Sequence, residues 1–339
     1  MNLKYKFEPQ RRRGAEKSKP GTFIKNIRPA LAWFSSAPLR LCGSILLFAL
    51  TLPAQAALNV FATVPEWGAL VKEIGGDKVK VFTAANALQD PHRIEAKPSL
   101  MARARNAQLV VATGAELEIG WLPLVLRESG NAAIQPGRPG YFEAARYVSL
   151  LERPERLDRA DGDVHPGGNP HIQLDPRNFL KIGEALAARM AELDPADAPA
   201  YQAGWKAFSL RWQANLKRWD TQAAPLKGIS VVVQHKAFPY LSAWLGLKEV
   251  AALEPKPGVE PGSAHLAAVL ARLKTTPAKM VIRPIYQADT ASRWLEQQAH
   301  VPVVALPFTV GGTPEAKDLQ GLFDDTLRRM LAALSSGKS

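Results

Sequence analysis

The sequence predicts an α/β protein of two lobes, each a mostly parallel sheet flanked by helices, joined by a long, rigid backbone helix. Three observations support this prediction. Short β-rich runs alternate with helical patterns in both halves of the chain. Between the halves the strand signal is absent for about fifty residues, and this stretch contains one long amphipathic pattern. Strands that alternate with helices form parallel sheets covered by helices.

The two halves repeat the same order of elements. The first half has strand runs at 58–64, 78–83 and 108–113, and helical patterns at 66–74, from Pro98 onward, and at 116–127. The second half has strand runs at 229–234, 249–253, 280–285 and 301–306, and helical patterns at 237–245, 263–273, 290–298 and 316–334. Most of these strand runs are rich in the β-branched residues that favour sheets.

Two helices are predicted between the halves, the first over Pro176–Leu193. Asp194 and Pro195 then supply a cap and a first-turn proline for a second helix, which runs to about residue 223. Three tryptophans seven residues apart share one face of this helix and are expected to pack rather than to bind a ligand: Trp205, Trp212 and Trp219. We therefore predict an N-terminal lobe at 57–176, a helical segment at 177–224 and a C-terminal lobe at 225–339.

Residues 1–56 are predicted to be a secretory signal. They hold ten Lys/Arg and two acidic residues, so they carry +8 of the net charge of +12. An apolar run over 41–52 is followed by the small-x-small sequence Ala54-Gln55-Ala56. The alternative is an uncleaved anchor, but a span needs about 20 apolar residues. Cleavage would remove Cys42, which is the one cysteine of the chain. The remaining residues carry a net charge of only +4 and show no run of basic residues, which argues against nucleic-acid binding.

Three histidines occupy similar positions just after, or between, the strand runs. They are His92 after Asp90-Pro91, His171 after Pro170, and His235 at the end of the 229–234 run. Strand ends are where an α/β fold gathers its ligand-binding groups. One histidine alone is more often structural, but three neutral imidazoles that converge form a site for which Zn²⁺ is the usual occupant.

These segments resemble the metal-specific solute-binding proteins of bacterial ABC importers, the zinc and manganese receptors with a rigid backbone helix. The resemblance rests on four segments in order: Asp90-Pro91-His92 with Pro98-Ser99, Gly114-Ala115-Glu116-Leu117-Glu118, Pro170-His171-Ile172-Gln173-Leu174-Asp175-Pro176-Arg177-Asn178, and His235-Lys236-Ala237-Phe238. It implies that His92, His171 and His235 bind the metal between two metal-binding lobes. It also implies a periplasmic monomer whose partners are a membrane permease and its ATPase, with Zn²⁺ as the transported ligand.

The fourth metal ligand is left open. Many members of the family, manganese receptors above all, add a carboxylate after the penultimate strand, whereas residues 306–312 of this chain contain no acid. Water, Glu66 and Asp289 are the candidates. Three histidines without a firm carboxylate favour zinc, because Mn²⁺ prefers oxygen ligands. Asp175 is expected to cap the following helix rather than to orient His171.

Zinc receptors of this family often carry a loop rich in His and Asp before the second ligand segment. Here the loop at 158–169 is short and holds a single histidine, His165, near Asp161 and Asp163, so an ordinary surface loop is the expectation. The sequence leaves other functions to weigh: a manganese or iron(II) receptor of the same fold, a secreted zinc hydrolase, or an adhesion protein. The chain has no His-Glu-x-x-His and no Ser or Cys nucleophile motif, so we predict that it is not an enzyme.

Overall fold

The computed structural model describes residues 56–154 and 165–336, which include two four-stranded parallel sheets. The strands of the first sheet are β1 (Leu58–Ala62), β2 (Val79–Thr83), β3 (Leu109–Ala112) and β4 (Tyr141–Glu143), in the order β2-β1-β3-β4. Those of the second sheet are β5 (Ser230–Val233), β6 (Lys248–Ala252), β7 (Met280–Pro284) and β8 (Val303–Leu306), in the order β6-β5-β7-β8. The two lobes thus share one topology, and the predicted fold class is confirmed.

Nine α-helices in the described part of the chain connect and cover these strands. They are α1 (Pro65–Gly75), α2 (Pro98–Arg105), α3 (Leu122–Ser129), α4 (Asn178–Leu193), α5 (Ala198–Ala223), α6 (Pro239–Leu245), α7 (Ser263–Thr275), α8 (Thr290–Ala299) and α9 (Leu319–Ser336). Five of them, α1, α2, α3, α5 and α6, carry proline in the first turn, where the missing N–H is not needed. Over 56–154 and 165–336, no helix has the length and apolar character required to cross a bilayer.

The long helix α5 lies between the lobes and packs through its aromatic residues. Trp212 and Trp219 are buried, with ring centroids 5.0 Å apart, and both rings contact Phe323 of α9. The Trp212 indole N–H donates to the carbonyl oxygen of Pro176 at 2.7 Å. The tryptophan face is therefore a packing surface, as the seven-residue spacing predicts, and it connects the helical segment to the C-terminal lobe.

Several element boundaries differ from the prediction. Helix α3 begins at Leu122 rather than at 116, because Ala115 and Glu116 adopt positive φ values of 49° and 65° that break the helical path. Helix α5 begins at Ala198 rather than at Pro195. Asp194 ends α4 and accepts a hydrogen bond from the hydroxyl of Tyr201, so it does not cap α5. The three-residue strand β4 has too short a pattern to be recognised in the sequence.

The predicted signal segment lies outside the described residues, apart from Ala56 at its end. Residues 155–164 of the loop before the second ligand segment also lie outside them. The proposed division at 176 and 224 stays a prediction, since residues 54–339 form one compact unit.

Candidate metal site

The three histidines singled out from the sequence lie together between the two sheets. The ring centroids of His92 and His171 are 5.3 Å apart, those of His171 and His235 are 5.8 Å apart, and those of His92 and His235 are 6.3 Å apart. With Zn–N bonds near 2.0–2.1 Å and tetrahedral angles, two imidazole ligands of one zinc ion have centroids about 5.2 Å apart. The spacings of the three ring centroids are thus close to those expected around one bound zinc ion.

Small shifts would still be required for binding. Among the described residues, no group of three or more His, Cys, Asp or Glu side chains is already arranged so that it could hold a metal ion. The largest excess over the tetrahedral spacing of about 5.2 Å is that of His92 and His235, roughly 1 Å. The His92 side chain is 11% exposed, so it has more room to adjust than the buried rings of His171 and His235.

Two ring nitrogens of this cluster lack a protein partner. Among the described residues, His92 Nε2 and His171 Nδ1 are buried and neither donates nor accepts a hydrogen bond. Buried polar atoms in folded proteins nearly always have a partner, so an exception requires an explanation. A metal ion that accepts both lone pairs would satisfy the two nitrogens at once.

Carboxylates orient two of the three rings. Asp90 Oδ1 lies 3.0 Å from His92 Nδ1, and Glu254 Oε2 lies 2.6 Å from His235 Nδ1. Burial acts to raise the pKa of Asp90, but hydrogen bonds from His92 hold that pKa below its usual range, so the carboxylate accepts. A carboxylate that accepts from Nδ1–H leaves Nε2 free to bind a metal and makes it more basic. Neither Asp90 nor Glu254 was assigned this role from the sequence.

The electrostatics keep His171 neutral. Burial, reinforced by the positive character of His92, His235 and His165, holds the pKa of His171 well below the ordinary histidine value of 6.5. Only the neutral imidazole has a lone pair for a metal ion. His171 is therefore ready to bind a cation throughout the neutral pH range.

Backbone and side-chain hydrogen bonds fix the loops that carry these rings. The Trp121 indole N–H donates to the carbonyl oxygen of Pro91 at 3.1 Å, next to His92. The Asn169 side-chain oxygen accepts from the backbone N–H of His171 at 3.0 Å, while its amide donates to the carbonyl oxygen of Lys236 at 2.8 Å. Asn169 thus connects the loop of His171 directly to the loop of His235, which belongs to the other sheet.

The three other carboxylates considered from the sequence have identified partners elsewhere. Glu66 is buried and accepts a hydrogen bond from the Thr309 hydroxyl, and burial raises its pKa to about 7. Asp289 pairs with Arg293 and lies 3.8 Å from Arg283. The Asp175 carboxylate accepts from the backbone N–H of Arg177 at 2.9 Å and pairs with its guanidinium, which supports a role at the start of α4.

His165 is the residue whose position the sequence did not suggest. Its ring stacks on His92 with centroids 5.4 Å apart, although an ordinary place on the surface was expected. It also lines a cavity of about 500 Å³ together with His171, His235 and Glu254. The one available signal was its position six residues before His171, in a loop rich in Gly and Pro.

Comparisons with known proteins identify the family of this chain. The profile of the family described as ZnuA, zinc-uptake complex component A, periplasmic, matches residues 60–334. The chain belongs to the ZnuA family. It is a metal-binding solute-binding protein of an ABC importer, as the sequence motifs predict, and it acts outside the cytoplasm.

Proteins of this family are transport receptors and not enzymes, so the hydrolase alternative is excluded. The chain binds a divalent metal as its transported ligand, and its partners are the permease and ATPase of the importer.

Similar proteins include receptors named for different metals. The high-affinity zinc uptake system protein ZnuA of Bacillus subtilis (strain 168) is 27% identical over 239 residues, 69% of this chain and 72% of that protein. The zinc-binding lipoprotein AdcA of Streptococcus pneumoniae serotype 4 is 26% identical over 246 residues, 71% of this chain but only 47% of AdcA. The manganese ABC transporter lipoprotein PsaA of Streptococcus anginosus is 21% identical over 267 residues, 77% of this chain and 83% of PsaA.

Solved structures share the fold. FpvC from Pseudomonas aeruginosa in complex with Mn²⁺ superposes with a TM-score of 0.70 and 23% identity, covering 82% of this chain and 99% of FpvC. A crystal structure of ZnuA superposes with a TM-score of 0.64 and 20% identity, covering 84% of this chain and 99% of that one. At these identities the superpositions show the fold alone.

Proposed function

We propose that this protein is a zinc receptor that captures Zn²⁺ in the cleft between its lobes and delivers it to the permease. The observation that carries the proposal is the convergence of His92, His171 and His235, three imidazoles from separate segments, at spacings close to those of one tetrahedral ion. Two rings come from the N-terminal lobe and the third from the C-terminal lobe. A bound ion would therefore hold the lobes together.

The donor atoms favour zinc over manganese or iron(II). Imidazole nitrogens suit Zn²⁺, whereas Mn²⁺ is bound mainly by carboxylate, carbonyl and water oxygens. The two carboxylates beside the rings, Asp90 and Glu254, are engaged with the Nδ1 atoms of His92 and His235. At residues 306–312, after β8, the chain carries Phe308 and Thr309 and no acid. The named relatives bind either metal at similar low identity, so the donor set is the stronger argument.

The proposed function also requires export of the protein and docking on the permease. Residues 1–56 would direct export to the periplasm and be removed, and the receptor would act there as a monomer that docks on the permease. The exported protein is expected to begin at Ala57, which N-terminal mass analysis of the periplasmic fraction would test. Detection of residues 1–56 on the exported protein would contradict this part of the proposal.

A metal titration tests the metal and the ligands together. Purified, metal-stripped protein would be titrated with Zn²⁺ and with Mn²⁺, alongside His92→Ala, His171→Ala and His235→Ala. His265→Ala is the matched control, because His265 bonds to the carbonyl oxygen of Ala252 and belongs to α7.

We expect one tight zinc site, much weaker manganese binding, and a large loss of zinc affinity in the three variants but not in the control. Manganese binding as tight as that of zinc would contradict the metal assignment. Parent-like zinc binding by all three variants would contradict the site itself.

A further inference from the structure

A fourth imidazole lies within reach of the same ion. The ring of His165 stacks on that of His92 with a centroid separation of 5.4 Å, which is close to the spacing of about 5.2 Å for two imidazoles on one zinc ion. Of the four measured ring spacings in this cluster, only that of His92 and His171 is closer to the tetrahedral value. His165 is therefore as well placed relative to His92 as the ligands inferred from the sequence motifs.

A further observation places His165 beside the other rings. It lines the same cavity as His171 and His235. The side chains of His171 and His235 are buried, whereas His165 is half-buried. His165 thus contacts His92 and also borders the cavity that His171 and His235 line.

The alternative fourth ligands are committed to other partners. Glu66 accepts from Thr309 in a separate small cavity, where none of the four histidines is among the lining residues. Asp289 forms ion pairs with Arg293 and Arg283 at the start of α8. Glu66 and Asp289 thus have identified partners, while the ring of His165 already stacks on that of His92.

We propose that His165 is the fourth zinc ligand, so that the ion is bound by four imidazoles. This inference rests on the proposed zinc function and completes its site. A closed shell of four nitrogens at one tetrahedral ion leaves no position for water and suits zinc. It also disfavours Mn²⁺, which prefers oxygen ligands.

The test compares His165→Asn with His300→Asn. His300 ends α8 in a left-handed conformation with φ 55°, which asparagine tolerates, so the control makes the same chemical change away from the cluster. Zinc affinity would be measured for both variants, for the parent and for His171→Ala. X-ray absorption of the zinc-loaded parent and of His165→Asn would count the imidazole ligands.

We expect His165→Asn to lose zinc affinity by at least about tenfold, in line with the effect of losing even an indirect partner of a metal site. Added free imidazole should restore part of that affinity by filling the vacated position, and the absorption spectrum should change from four imidazoles to three. His300→Asn should bind as the parent does.

The outcomes separate this inference from the proposed function. If His165→Asn binds zinc as tightly as the parent and keeps the same spectrum, while His171→Ala is defective, His165 is not a ligand and the receptor proposal stands. Water, Glu66 or Asp289 would then supply the fourth position. If His171→Ala also binds as the parent does, the three-histidine site fails and the inference fails with it.

Discussion

Removal of the Glu254 carboxylate is expected to weaken zinc binding although Glu254 need not touch the metal. Its Oε2 atom lies 2.6 Å from His235 Nδ1 and also accepts from the backbone N–H of Gly258 at 2.8 Å. Its other oxygen accepts from the Gln287 amide at 3.2 Å. These contacts hold the carboxylate in place, and the carboxylate in turn fixes the tautomer and the orientation of the His235 ring.

The expected magnitude follows from burial and distance. Loss of a partner that orients a metal-binding histidine costs about 10–100-fold in metal affinity, or roughly 1.4–2.7 kcal/mol. Glu254→Ala is expected near the upper end, because Glu254 is only 11% exposed and water replaces it poorly. Glu254→Gln keeps an acceptor but loses the charge, so a loss of about tenfold is expected. Asp90→Asn should cost less, since Asp90 is 36% exposed and 3.0 Å from its ring.

Competition with a chromogenic zinc chelator at pH 7.5 would measure these affinities, with thermal unfolding of the metal-free proteins as a control for folding. The order expected for the loss of affinity is Glu254→Ala, then Glu254→Gln, then Asp90→Asn. Parent-like affinity of Glu254→Ala, or a larger loss in Asp90→Asn than in Glu254→Gln, would refute the reasoning from burial and distance.

Three further predictions concern stability and the connection between loops. The pKa of His171 lies well below 6.5, so below that pH the unfolded chain binds more protons at this residue than the folded protein does. The free energy of unfolding of the metal-free protein should therefore fall by about 1.4 kcal/mol per pH unit as pH falls below about 6.5. Urea unfolding of His171→Phe should show a smaller dependence on pH. The pKa of Glu66 is raised to about 7, so its contribution is present below about 4.5 and lost as pH rises through 7. Glu66→Gln should therefore be more stable than the parent at pH 8 by up to about 3 kcal/mol, and an equal gain at pH 4 would contradict this. Asn169→Ala breaks the hydrogen bonds to His171 and Lys236 and should lower zinc affinity by about tenfold with little effect on α-helix content by circular dichroism.

Much of the fold is predictable because both sheets are parallel and their central strands are buried. These central strands are apolar runs, as in Val231, Val232 and Val233 of β5, and helical patterns separate them from the next strands. The turn at Ala115 and Glu116 and the strand β4 were missed for a local reason. Neither a positive φ in a non-glycine residue nor a strand of three residues leaves a periodic pattern in the sequence.

The position of His235 was predictable from the sequence because it follows the buried strand β5, and a residue there must emerge at the edge of the sheet. His92 and His171 lie in loops well after β2 and β4, so the paths of those loops bring them to His235. The sequence did not indicate which carboxylates contact these histidines. Glu254 lies 19 residues from His235 in the chain, and only the pairing of β5 with β6 makes them neighbours. Val233 pairs with Ala252, so the residues two positions further along both strands meet at one edge.

The sequence by itself determined the fold class and indicated the three histidine segments, because burial periodicity and residue chemistry are local properties. The tertiary structure alone decided which carboxylates orient the rings, that Glu66 is engaged with Thr309, and that His165 stacks on His92. Strand order and loop path create these contacts. They join residues that are distant in the chain, and no local pattern in the sequence encodes such distances.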